Sequence, residues 1–286
     1  MKNRRKLTIL TAVLTAAALI LGACGGSSSS AATTEAAKPA NRLEKILAEG
    51  KITNVCEPYF APYEFIDNEK EGQDQFRGAD MEFARYIAKE LGVELEIVPL
   101  EWSAVLTGVT EGKYDMAVAG LGYSEERAQN MELSDIYKQG SEQGIMVRAE
   151  DLDQYKTLED FKGKKVGFQS GTLQEQLATA QLPDSELVTY DLINNAVLAL
   201  DAKKVDAVAV SVPNGEMFVA ANGNLAVTEV YFEQGKNGNC IAVPKGETEL
   251  KERLNEIIAD VKEKGLYDEW LAQAVAEAEK LGVDTN

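Results

Sequence analysis

Two stretches of this chain are written on one plan, and that repetition limits the fold more than any other feature. Glu111-Gly-Lys-Tyr-Asp-Met-Ala-Val-Ala-Gly-Leu121 lies against Ala202-Lys-Lys-Val-Asp-Ala-Val-Ala-Val-Ser-Val212, setting Asp115 opposite Asp206 and Gly120 opposite Ser211. Each stretch closes a longer alternation. In the first, residues 51–56 read extended, and Met81, Ala84, Ile87, Ala88 and Leu91 recur at helical spacing over residues 80–91. Gly92 then suits the left-handed turn that ends a helix. Residues 93–98 alternate as a strand, Trp102, Val105, Leu106 and Val109 mark a second helix closed by Gly112, and residues 114–119 complete the run as a strand. The second half repeats this with strands at 165–169, 187–190 and 205–210, a helix after Gly171-Thr172 and another through Leu200. A β-α-β-α-β order predicts a largely parallel sheet covered by helices, so the fold class is α/β with two lobes of similar plan. In open parallel sheets the functional crevice lies beyond the carboxyl ends of the strands, which makes a cleft between the lobes the expected site.

Ahead of this body, Lys2, Arg4, Arg5 and Lys6 precede an apolar run over residues 7–21 that ends in Leu21-Gly22-Ala23-Cys24. A run this short, basic on one side and small on the other, fits a secretory segment better than a permanent membrane helix. The closing Leu-Gly-Ala-Cys resembles the lipobox of bacterial lipoproteins, which implies a signal peptide over residues 1–23 and a lipid on Cys24. Residues 24–40 are Gly, Ser, Ala and Thr with almost nothing to bury, and are expected to form a disordered tether. Its 16 residues after the cysteine span about 20–24 Å as a flexible chain. No later apolar stretch is long enough to cross a bilayer, so the lipid is the expected attachment.

The net charge is −18, and loss of the four basic residues of the signal takes it to about −22, which argues against a nucleic-acid partner. Histidine is absent, removing Ser-His-Asp triads, imidazole acid–base chemistry and the commonest metal ligand together. No catalytic residue, metal site or cofactor is expected. Cys56 and Cys240 lie in apolar strand-like runs and are expected as small buried apolar groups rather than as a pair.

Four segments fall at the predicted strand ends: Glu57-Pro-Tyr-Phe-Ala-Pro-Tyr-Glu-Phe65, followed by Gly78-Ala-Asp-Met-Glu-Phe83; Glu101-Trp102; Ala119-Gly-Leu-Gly-Tyr-Ser-Glu-Glu-Arg127; and Val166-Gly-Phe-Gln-Ser-Gly-Thr172. Ser124 is a good helix N-cap, which places Arg127 in the first turn of a helix at the sheet's carboxyl edge, where its planar fork can grip a carboxylate or else pair with Glu125 or Glu126. Ser170-Gly171-Thr172 opens the matching helix and offers backbone N–H groups and a hydroxyl to the same anion, or simply caps that helix. In order and spacing the four segments resemble the amino-acid-binding receptors of ABC transporters, bacterial solute-binding protein family 3, over essentially all of residues 41–281.

The resemblance implies a two-lobed periplasmic-binding-protein-like fold of type II with two hinge crossings, near residues 142–148 and 234–239. Lobe 1 would be residues 41–146 with 237–286, and lobe 2 residues 147–236. It implies ligand contacts from Glu57, Phe60, Trp102, Gly120, Gly122, Arg127, Gln169, Gly171, Thr172 and Ser211, with Arg127 on the ligand's carboxylate and the rings of Phe60 and Trp102 stacking its side chain. Tyr63 and Phe65 read as core aromatics, and Glu57 either meets a distal ammonium or is a solvated strand end. Three positions depart from the family pattern: Ser211 stands where relatives carry an ammonium-binding aspartate, Gly122 where they carry Ser or Thr, and Leu173 where Thr is common. The usual amine cage is therefore thinned, and either Glu57 takes over the ammonium or the solute is not a standard α-amino acid. The expected protein is a monomeric, non-enzymatic receptor on the outer face of the cell membrane, partnered by an amino acid or analogue and by an ABC permease. A cyclohexadienyl-dehydratase-like enzyme with Glu57 as general acid, and a ligand-sensing receptor, are the alternatives.

Overall fold

The computed structural model describes residues 39–282, so the expected signal peptide, Cys24 and most of the tether lie outside the described residues. None of the described helices is long and apolar enough to cross a membrane.

Asn41 opens the body by capping α1 (Arg42–Glu49), its side chain accepting the Glu44 N–H at 2.9 Å. Next come β1 (Lys51–Cys56) and a three-stranded antiparallel sheet of β2 (Tyr59–Phe60), β3 (Glu64–Ile66) and β4 (Phe76–Arg77). Then α2 (Ala79–Leu91) ends on Gly92 at φ 69°, and β5 (Glu94–Pro99) pairs in parallel with the whole of β1. Beyond α3 (Trp102–Thr110) the expected strand at 114–119 is not a regular strand. It makes single bridges only, Met116 with Asn54 and Ala117 with Ala242. The reason is that side chains replace the ladder bonds on either side of Met116 and Ala117, whose own backbone groups still bond Thr53, Val55 and Ala242. The Asn54 amide accepts from Val118 N at 2.8 Å and donates to Val118 O at 3.3 Å, while Asp115 takes both the backbone N–H and the hydroxyl of Thr53 at 2.8 and 2.7 Å. Asp206, its counterpart in the repeat, likewise accepts the Lys165 N–H at 2.8 Å. The paired aspartates thus do one job twice: each ties the residue ahead of an inner strand segment to the first strand of its unit.

After α4 (Glu125–Asn130), β6 (Met131–Leu133) and β7 (Lys138–Gln139), the chain enters a five-stranded sheet. Its elements are β8 (Gln143–Arg148), β9 (Lys165–Gln169), α5 (Leu173–Gln181), β10 (Glu186–Tyr190), α6 (Ile193–Asp201), β11 (Ala207–Ser211), α7 (Val212–Ala221) and β12 (Leu225–Tyr231). The order is β10-β9-β11-β8-β12, parallel through β10, β9 and β11 and antiparallel where β8 and β12 join. The parallel half is the expected β-α-β-α-β run; the antiparallel half consists of the strands that bring the chain in and lead it out. The sheet takes in Gln143–Arg148 whole, ahead of position 147. Alternation along β11 explains its unbroken apolar run: Ala207 and Ala209 pack with Phe161, Phe168 and Ala178, and Val208 and Val210 with Ala196, Leu200 and Phe218 on the opposite face.

The return path is β13 (Gly238–Asn239), paired with β7, then β14 (Ala242–Pro244), paired with β6. The two crossings therefore run side by side, joined by Gln139 Nε2 to Asn237 O at 3.2 Å and Asn237 Nδ2 to Ser141 O at 3.1 Å. In α8 (Thr248–Lys264), Leu250, Leu254, Ile257, Ile258 and Val261 turn inward as their spacing predicts, and α9 (Leu266–Leu281) packs on α2. Cys56 and Cys240 are both buried and not bonded to one another; the Cys56 sulfur lies 3.9 Å from that of Met81.

Candidate binding site

Strand ends and helix starts from both halves of the body converge on one cavity, which encloses about 780 Å³ with its mouth included. Of the ten positions singled out in the sequence, Glu57, Phe60, Trp102, Gly120, Gly122, Arg127, Gln169, Thr172 and Ser211 line it. Gly171 stands just behind, and its carbonyl is a junction: it accepts Trp102 Nε1 at 3.0 Å and Arg127 Nη2 at 2.9 Å.

Arg127 is delivered by α4, whose N-cap Ser124 accepts the Arg127 N–H at 3.2 Å. Its side chain is 5% exposed and pairs with neither Glu125 nor Glu126. Nη1 donates to Gly122 O at 2.6 Å, the guanidinium lies 5.4 Å from the centroid of the Trp102 ring, and Nε has no partner among the described residues. Burial without a carboxylate pushes its pKa down to about 10, so the cation is held at a cost that an anion in the cavity would offset.

The opposite helix start is more committed than its sequence implies. The Gly171 N–H, expected to be available to an anion, donates to Glu175 Oε2 at 2.6 Å, and the Thr172 hydroxyl donates to Gln169 O at 2.7 Å while accepting the Glu175 N–H at 3.2 Å. Here the helix-cap alternative describes the geometry, because Glu175 sits one turn into α5 and reaches back to the loop.

Glu57 is buried rather than solvated. Oε1 accepts Trp102 N at 3.0 Å, and Gln169 Nε2 approaches both carboxylate oxygens at 2.9 and 2.8 Å. Burial raises its pKa, and these bonds oppose the rise. Glu57 thus spends its lone pairs on joining the two halves across the cleft.

Phe60 and Trp102 both line the cavity, and Phe60 stacks on Tyr63 at 5.2 Å. Tyr63, read from sequence as a core aromatic, is buried but also lines the cavity, whereas Phe65 belongs to the core alone. Gly120 has φ 57°, and a Cβ there would stand 2.7 Å from the Phe60 ring, so only glycine lets this loop pass beneath the aromatic. The Gly120 N–H is held by Asp80, whose carboxylate also accepts the Tyr137 hydroxyl at 2.8 Å and the Tyr267 hydroxyl at 2.5 Å. Burial pushes the Asp80 pKa up to about 6 against the pull of those three donors.

Sequence reasoning passed over Glu64, Gln143, Asn214 and Asn237, which also line the cavity. Glu64 is 1% exposed, its Oε1 accepts the Glu57 N–H at 3.3 Å, and burial, followed by the charges of Asp80 and Glu57, raises its pKa well above the usual carboxylate range. A glutamate between two aromatics in a short strand, inside the Pro-Tyr-Glu-Phe run, was the available signal. Asn214 was legible only as the third residue after Ser211 beside a helix-starting proline. The charged groups lining the cavity, Glu57, Glu64 and Arg127, come from residues 57–127; residues 141–239 supply amides, hydroxyls and apolar groups. Among the described residues no cluster of three or more His, Cys, Asp or Glu is placed to hold a metal ion.

The comparisons with known proteins agree with this geometry. The family model for bacterial extracellular solute-binding proteins, family 3, matches residues 52–276. An amino-acid ABC transporter substrate-binding protein from Streptococcus pneumoniae, solved with L-arginine, is 34% identical, with 84% of this chain and 99% of that chain covered and a TM-score of 0.77. An ancestral amino-acid-binding protein described as a precursor of cyclohexadienyl dehydratase is 27% identical, covering 81% of this chain and 98% of that one at a TM-score of 0.71. The L-cystine-binding protein TcyJ of Escherichia coli is 27% identical over 239 residues, 82% of this chain and 87% of its own length. With its two hinge-linked halves, its cleft and its buried arginine, the chain belongs to the bacterial extracellular solute-binding proteins, family 3.

Proposed function

We propose that this protein is the substrate-binding lipoprotein of an ABC transporter, capturing an amino acid or amino-acid-like solute between residues 41–146 with 237–286 on one side and 147–236 on the other. The observation that carries the reading is Arg127: a buried guanidinium facing a cavity, with backbone carbonyls but no carboxylate as partners, stabilises a carboxylate brought by a solute. Relatives described as binding cystine, histidine and arginine support the class of solute without naming it for this chain. Phe60 and Trp102 offer it flat surfaces, and Glu57, Gly120, Gly122, Gln169, Gly171, Thr172 and Ser211 complete the enclosure. Native mass spectrometry of the purified protein, followed by thermal shifts with the proteinogenic amino acids and their amines, tests this. A bound solute without a carboxylate would contradict it.

Attachment through Cys24 belongs to the same proposal. A lipid there keeps the receptor within tether length of a permease at high effective concentration on the outer face of the cell membrane. Metabolic labelling with a fatty acid should mark the parent and not a Cys24→Ser variant. The protein acts as a monomer that its permease reads when the lobes close.

A second reading, a dehydratase acting on cyclic acids, is favoured by two observations: Glu57 and Glu64 are buried in the cavity with raised pKa values, as a general acid requires, and a protein described as a precursor of such an enzyme is a structural neighbour. Glu57 is committed on both oxygens, which favours binding over proton transfer. Incubation with prephenate or arogenate separates the two readings: release of an aromatic product would identify an enzyme.

A further inference from the structure

Four buried side-chain atoms of residues that line this cavity have no hydrogen-bond partner among the described residues: Arg127 Nε, Glu64 Oε2, Ser211 Oγ and Asn214 Nδ2. The first two belong to ionisable side chains on one wall. The other two are neutral and sit together on the opposite wall, Ser211 as the N-cap of α7 and Asn214 as its third residue. They are 4% and 2% exposed.

A serine at an N-cap ordinarily spends its oxygen on a backbone N–H one turn in. Ser211 makes no such bond: the second residue of α7 is Pro213, which has no N–H, and the N–H of the third, Asn214, is not engaged by the Ser211 side chain. Its hydroxyl therefore remains available to the cavity, beside an asparagine amide in the same condition. The ten-residue α7 also points its N-terminus here, and the partial positive charge of that end repels an ammonium and favours an acceptor. The acceptor is uncharged, since Arg127 is the one cationic side chain among the described residues lining the cavity and a second carboxylate would have no counter-ion. Gln143 and Gln174 nearby are already engaged with one another at 2.5 Å, so they do not change this balance.

We propose that Ser211 and Asn214 form a neutral subsite that receives an uncharged hydrogen-bond acceptor of the bound amino acid, a carboxamide or urea carbonyl, and thereby selects neutral polar amino acids over basic and acidic ones. The inference rests on the solute-receptor reading above. The ammonium of such a ligand falls to the other wall, where Glu64 Oε2 has no partner.

Calorimetric titration of the purified protein with L-glutamine, L-citrulline, L-arginine, L-glutamate and L-norvaline tests this. Glutamine or citrulline should bind at least about tenfold tighter than arginine and glutamate. Asn214→Leu, similar in size, should weaken glutamine or citrulline by about tenfold or more while changing norvaline, which lacks the carbonyl, by less than about threefold. Ser211→Asp should move the preference toward arginine, and it keeps the proposal testable should Asn214→Leu misfold. Tighter binding of arginine or glutamate to the parent overturns the subsite. So does an equal loss for glutamine and norvaline in Asn214→Leu, or an unchanged arginine-to-glutamine ratio in Ser211→Asp. If no amino acid binds the parent at all, the receptor reading itself falls and the inference with it.

Discussion

Arg127 shows what a single residue contributes here. Its fork is oriented by two carbonyls, from Gly122 and Gly171, so little rotamer entropy remains to be lost when a carboxylate arrives. Truncation to alanine should weaken binding by about 2–5 kcal/mol, because the ligand's carboxylate would then be enclosed without a cation. Titration of Arg127→Ala to an affinity within threefold of the parent would remove the arginine from the site. Asp80 makes a different kind of claim. Its folded pKa, about 6, lies above the ordinary aspartate value, so the proton is held more tightly in the folded state. The stability it lends is therefore full below pH about 4 and is lost as pH rises to about 6, a change on the order of 3 kcal/mol. Urea denaturation of parent and Asp80→Asn across that window should show the gap between them widening in the variant's favour as pH rises; a level gap would contradict the burial argument. The sequence announced Arg127 through its cap and spacing and hinted at Glu64 through the aromatics on either side of it, but it could not announce that Asn214 faces the same cavity, since that depends on where α7 packs.

At the scale of elements, periodicity was a good guide wherever packing on one face decides the structure. In α8, five apolar residues at helical spacing are the five that are buried, and Gly265 ends the helix at φ 68°. Leu254→Ala leaves a cavity in the core where α8 packs with Phe83 and Ile87 of α2 and should cost about 2–5 kcal/mol in denaturant unfolding, with binding changed little since α8 does not line the cleft. Periodicity misled at residues 114–119, where an apolar run looks like a strand but the Thr53 hydroxyl takes the Asp115 N–H and the Asn54 amide bonds Val118 N and O. It also overstated the freedom of the Ser170-Gly171-Thr172 turn, because the reach of Glu175 back to the Gly171 N–H depends on a rotamer that no spacing rule specifies.

For the molecule as a whole, the bonds that matter most are those that cross the cleft: Glu57 with Gln169, and the Gly171 carbonyl with Trp102 and Arg127. They tie one half to the other beside two crossings that pair antiparallel, and two of them, at Glu57 and Arg127, involve an ionisable side chain. Gln169→Leu leaves the cavity's shape nearly intact but removes the Glu57 bridge, and should weaken ligand binding by about 1.5–3 kcal/mol while expanding the ligand-free protein in small-angle scattering. A scattering profile identical to the parent's would show that the bridge does not bias closure. The sequence by itself determined the two α/β units, the order of their elements and the family, because hydrophobic period, capping residues and glycine positions act locally and survive without coordinates. Only the tertiary structure decided which polar groups are already spent and which still face the cavity. That is a matter of partners brought together from distant parts of the chain: Glu57 and Gln169, 112 residues apart, consume one another, while the Ser211 hydroxyl and the Asn214 amide nitrogen find no partner among the described residues.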